Sequence, residues 1–148
     1  MAAPGSFTAG SVLTAAEMNA LPGGFIASDE LTSDTAINTS ETALLSFTAS
    51  FKAGRNYLIG LSGFTYTAST TQIVFARIYV NSTLLQQNSQ TATTTIARHN
   101  FTQFVNFVPA SDLTSVTVEG TFQTGTGTSG VAGNANRPAQ LVLYDMGA

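Results

Sequence analysis

The chain has 148 residues and no cysteine, which fits one domain with a core of useful size and excludes disulfides, thiolate metal sites and thiol nucleophiles. Charged residues are only 9% of it, with a net charge of −3, where about 25% is usual, so five Lys and Arg offer no basic patch and nucleic acid is not an expected partner. About a quarter of the residues are Ser or Thr, a composition of strands and turns.

The N-terminus lacks the basic and unbroken apolar stretches of a signal peptide. No apolar run approaches the roughly 18 residues of a membrane span, so the protein is expected to be made in a cytoplasm, with no membrane partner. Residues 1–24 read as an arm distinct from a domain at 25–148. The arm holds the chain's one helix signal. Thr14 and Glu17 have the spacing of a capping box, and Leu13 and Met18 occupy the positions of a hydrophobic staple. Pro22, Gly23 and Gly24 stop this helix after about two turns, too few to persist without something to lie against.

Beyond Phe25 the pattern is one of short strands. Asp29 and Glu30 sit in a turn-like stretch. Leu45, Phe47, Ala49 and Phe51 alternate with Ser and Thr, the period of a half-buried strand. Strands are also predicted at Tyr57–Thr67, Gln72–Val80, Thr83–Asn88, Asn100–Val108, Leu113–Phe122 and Ala139–Asp145, with Asn81 and Ser82 turning the chain between the second and third of these. The stretch from Thr124 to Arg137, rich in Gly, Thr, Ser and Asn, reads as a surface loop. It lacks the Gly-Lys-Ser/Thr ending and following helix of a phosphate loop. About eight strands without strand–helix alternation predict an all-β fold, an antiparallel β-sandwich of jelly-roll type.

Two strands are more apolar than a monomeric sandwich requires. Over 72–80 one parity supplies Ile73, Phe75 and Tyr79, and the other supplies Val74, Ala76, Ile78 and Val80. Phe104, Val105, Phe107 and Val108 repeat the feature. One face can pack on the opposite sheet, and the other then needs a neighbouring subunit or a covering loop. Val74, Ile78, Val80, Phe104 and Val108 are accordingly the candidate subunit interface of a homotrimer.

No catalytic constellation is legible. His99 is the sole histidine, no nucleophile elbow surrounds any serine, and solvation explains the one adjacent pair of acids, Asp29 and Glu30, better than a glycosidase dyad, which needs a defined separation across a sugar cleft. The expectation is a non-enzymatic protein with no catalytic residues, no metal site and no cofactor.

Phe7-Thr-Ala-Gly-Ser-Val-Leu-Thr-Ala-Ala-Glu-Met-Asn19 resembles the "F-x-A-G-x-x-L-T-A-A-x-x-N" opening of virion structural proteins of tailed bacteriophages, particularly those of actinobacterial hosts. The resemblance covers about a tenth of the chain. It implies a β-rich module of a minor tail, tail-tip or capsid decoration protein. The segments "AGRNYLIGLSGFTYT", "ARIYVNSTLL" and "RPAQLVLYDMG" are similar, more loosely, to the trimeric jelly rolls of the tumour-necrosis-factor and complement-head type. The reading is a structural subunit of a virion, docked on capsid or tail proteins through Phe7, Val12, Leu13, Met18 and Leu21. The alternative is an adhesin module that binds a host-surface glycan or receptor.

Overall fold

A computed structural model describes residue 15 and residues 21–67, 72–91, 98–127, 129–133 and 138–148. Ten strands run in order: β1 (Gly24–Leu31), β2 (Thr35–Ile37), β3 (Thr42–Phe51), β4 (Asn56–Thr67), β5 (Ile73–Val80), β6 (Thr83–Thr91), β7 (Arg98–Phe107), β8 (Leu113–Thr124), β9 (Ser129–Ala132) and β10 (Ala139–Gly147). All pairings are antiparallel. Of the helix predicted at 14–21 only Ala15, which is helical and exposed, and Leu21 are described; Phe7, Val12, Leu13 and Met18 lie outside the described residues. Leu21 is described and exposed.

The first sheet has the order β1-β10-β4, with β7 on the other side of β4. β10 covers the first half of β4, from Asn56 to Ser62, and β9 with β2 behind it covers the second half, from Phe64 to Thr67. The second sheet is β3-β8-β5-β6. With the two short strands β2 and β9 set aside, β1-β10-β4-β7 faces β3-β8-β5-β6, and every connection except the β5–β6 hairpin crosses between sheets. This is the double Greek key of a jelly roll. In the hairpin Asn81 and Ser82 have φ of 49° and 62°, the left-handed pair of a type I′ turn, whose twist matches that of the strands.

Alternation sorts the side chains. Tyr57, Ile59 and Leu61 of β4, Leu141 and Leu143 of β10, and Phe101 of β7 point inward from the first sheet. Leu45 and Phe51 of β3, Val118 and Phe122 of β8, and Ile78 of β5 meet them from the second. Edge-on rings lock the layers: Phe51 packs 4.9 Å from Tyr57 and 5.2 Å from Phe107, and Phe101 packs 5.4 Å from Phe122, the geometry favoured by the aromatic quadrupole. Toward the far end of β4 the interior turns polar. Thr65, Thr67, Gln72, Thr124 and Ser129 are all buried, and Ser129 Oγ donates to Gln72 Oε1 at 2.8 Å.

Three expectations are corrected. Val74, Ile78 and Val80 are 3, 0 and 2% exposed; their parity of β5 faces the opposite sheet of the same chain, so they belong to the core and not to a subunit interface. The loop expected at 124–137 contains β9, whose four residues are buried because they pair with β2 and extend β4. Asp29 and Glu30 lie in β1, not in a turn: Asp29 Oδ2 accepts from Ser46 N at 2.8 Å, and Glu30 Oε1 accepts from Gln140 Nε2 at 2.5 Å.

Candidate interaction surface

The parity of the first sheet that faces solvent is read from its register. One row across the strands is Phe25, Tyr144, Leu58 and Asn106; the next is Ser28, Val142, Gly60 and Phe104. Neither row contains a charge. The third row, Glu30, Gln140, Ser62 and Thr102, is polar throughout and forms a rim.

Phe104 is 57% exposed yet held in place from below. A Cβ on Gly60 would come within 2.6 Å of the Phe104 ring and 3.0 Å of Val142 Cγ2, so the absent side chain lets the ring lie down on the sheet against Val142. Phe25, 58% exposed, meets Tyr144 edge-on at 5.8 Å. Val108, the residue after β7, is also 57% exposed. Phe104 and Val108, which the sequence marks as surplus apolar residues, are exposed on the first sheet, whereas Val74, Ile78 and Val80, grouped with them in the sequence, lie in the core of the second. Phe25, Leu58, Val142 and Tyr144, which complete the face, were missed because their strands come together only through register.

An ion pair fastens one corner of this face. Arg55 Nη2 lies 2.8 Å from Asp145 Oδ2, and the two side chains are 17 and 13% exposed. Arg55 Nη2 also donates to Leu21 O at 2.8 Å, and Gly147 N donates to Asp145 Oδ1 at 2.9 Å. The pair thus ties the approach to β1 to the end of β10.

The outer face of the second sheet is different in chemistry. Arg77 donates from Nε to Gln87 Oε1 at 2.6 Å and from Nη1 to Gln123 Oε1 at 2.9 Å, and Nη1 pairs with Glu41 Oε2 at 3.1 Å. Its guanidinium also sits 5.1 Å from the Phe75 ring centroid, a cation–π contact. Thr121 Oγ1 donates to Glu41. Beside this network an open depression of about 320 Å³ is lined by Glu41, Ala43, Tyr79, Ser82, Glu119 and Thr121. Loss of hydration, then a hydrogen bond with Glu41, raises the Tyr79 phenol above its ordinary pKa.

His99 lies on the inward parity of β7 opposite Thr65, with its Nε2 buried and lacking a hydrogen-bond partner. Among the described residues no three metal-ligating side chains gather, and no helix is long and apolar enough to cross a membrane.

The chain matches no protein-family model and no curated protein. Solved structures share its fold. VP2 of infectious bursal disease virus, in its subviral particle, superposes with a TM-score of 0.50 at 13% identity over 86% of this chain. This chain spans only 38% of that VP2 chain. The VP2 of T=1 particles of the same virus gives a TM-score of 0.49 at 14% identity, over 86% of this chain and 36% of that one. A carbohydrate-binding module, CBM4, gives 0.43 at 13% identity, over 76% of this chain and 82% of that one. The likeness to VP2 is one of fold: an antiparallel β-sandwich of jelly-roll order.

Proposed function

We propose that the protein is a non-enzymatic structural subunit of a bacteriophage virion, a jelly-roll block of a tail or tail tip or of the decorated capsid surface. The observation that carries this reading is the uncharged apolar face on the first sheet of a finished sandwich: the core closes without it, so it is built to be covered. The jelly-roll order shared with a viral particle protein and the N-terminal resemblance to phage virion proteins support the reading from two other sides. In this reading Phe7, Val12, Leu13, Met18 and Leu21 dock the subunit on other virion proteins. The trimer expected from the sequence loses Val74, Ile78 and Val80 to the core, and self-association now rests on the face that carries Phe104 and Val108. Immunogold labelling of purified particles tests the reading. Specific labelling of tail or capsid supports it, and particles free of the protein would refute it.

The depression at Tyr79 favours a second reading, an adhesin that binds a glycan. An aromatic ring flanked by carboxylates and hydroxyls held in place by Arg77 has the chemistry to stack on one face of a sugar and hydrogen-bond its edge. A glycan array is the test: binding lost in Tyr79→Ala and Glu119→Gln would select this reading, and a blank array would remove it.

A further inference from the structure

We propose that the outer face of the first sheet is the contact between two copies of this chain, packed face to face over the rows that hold Phe25, Tyr144, Val142 and Phe104. The inference deepens the structural-subunit reading and rests on it, by naming the partner of the apolar face. Phe25, Phe104, Val108 and Tyr144 are 58, 57, 57 and 37% exposed, and with Phe and Tyr residues of about 150–250 Å² each they leave roughly 400 Å² of apolar surface in water. The half-buried Leu58 and Val142 between them enlarge it. A specific interface buries about 800 Å² per partner, somewhat more than half of it apolar, so this face supplies what one side of a contact needs.

Charge selects a second copy as the occupant. Each chain carries a net charge of −3, so like subunits repel unless they meet where no charge lies. The two rows through Phe25 and Phe104 are that place. The second sheet instead presents Glu41, Arg77 and Glu119 outward, which would have to be desolvated in any contact made there. A surface that is apolar in the middle and polar at its rim can satisfy itself across a two-fold axis, the commonest symmetry of homo-oligomers. The Phe104 ring lies over Gly60 and Phe25 meets Tyr144 edge-on, which limits the side-chain freedom left to lose on association. These are the conditions of an interfacial hot spot.

Sedimentation of the full chain at micromolar concentration is the test. The wild type is expected to be associated. Phe104→Asp and Tyr144→Asp should each weaken association by about 30-fold or more while keeping the wild-type circular dichroism, and Leu84→Asp, on an exposed position of the second sheet, should leave it unchanged. Because the chain has no cysteine, single thiols can be placed on the folded protein and capped with a bulky maleimide, which guards against variants that fail to fold. A cap on Asn106→Cys should block association, and one on Ser89→Cys, across the molecule, should not. A wild type that stays monomeric overturns the inference and leaves the face to a different partner. Persistence of the oligomer with Asn106→Cys capped overturns it too. Neither result depends on particles, so failure here is separable from failure of the virion reading, which immunogold labelling decides.

Discussion

Ile78 and Phe104 are large apolar residues on strands that the sequence marks as too apolar, and their fates differ completely. Ile78 is wholly buried between the sheets, and Phe104 is more than half in water. Ile78→Asp therefore places a carboxylate in the monomer's own core, at a cost above about 4 kcal/mol, and should abolish the cooperative thermal transition seen by circular dichroism. Phe104→Asp should leave that transition within about 1 kcal/mol of wild type while weakening association. The reverse pattern would mean that the register of β5 or β7 is misassigned. Tyr79 gives a second check at this scale. Its phenol is held above the ordinary value near 10 by loss of hydration and by Glu41. A folded-state pKa above the unfolded one contributes stability that is complete below the unfolded value and lost as pH rises through the folded value. An alkaline titration followed by phenolate absorbance should contain a late component that Tyr79→Phe removes.

At the scale of elements, strands bounded by turn residues were legible: β4, β5 and β8 begin and end within two residues of their predicted limits, and the alternation of Leu45, Phe47, Ala49 and Phe51 falls within β3. The Asn81-Ser82 turn was legible too, because few residues accept two successive left-handed conformations. Where both parities of a strand are apolar, periodicity identifies the strand but not its inner face. That choice depends on pairing with β8, far along the chain, and so Val74, Ile78 and Val80 were assigned to the surface. β9 was invisible for another reason. Ser129, Gly130, Val131 and Ala132 are small, and their burial comes from closeness of approach, not from hydrophobicity. A Cβ on Gly133, just beyond β9, would lie 2.4 Å from Leu31 O and 2.7 Å from Ser33 O, and Gly133 N donates to Asp34 Oδ1 at 2.9 Å. Gly133→Ala must therefore move backbone and should cost about 1–3 kcal/mol, a fall in Tm of several degrees for a domain of this size. Gly125→Ala, whose Cβ would meet nothing closer than 3.6 Å, should leave Tm unchanged. Equal tolerance at the two positions would restore the surface loop that composition alone predicted.

The molecule as a whole has two unlike outer faces around one closed core: charges and their hydrogen bonds on the second sheet, bare apolar side chains on the first. Among the described residues the buried side chains of the core come from Ile37 onward, with Leu31 partly buried against them, and before β1 the carbonyl of Leu21 accepts from Arg55. A protein beginning at Leu21 should therefore keep the circular dichroism, Tm and association of the full chain. One beginning at Gly24 should lose that hydrogen bond as well, about 1 kcal/mol at a partly exposed site, because Arg55 retains Asp145. If residues 7–21 dock the subunit on the virion, both shortened forms should fail to bind particles that lack the protein, and Leu13→Ser with Met18→Ser should show a milder form of the defect. Particle binding and thermal melts on the same samples separate the two roles. Normal binding by the form that begins at Leu21 would remove the docking role from residues 7–20. Failure of that form to fold would instead make the segment a part of the domain, and the apolar face of the first sheet would be the first place to look for it.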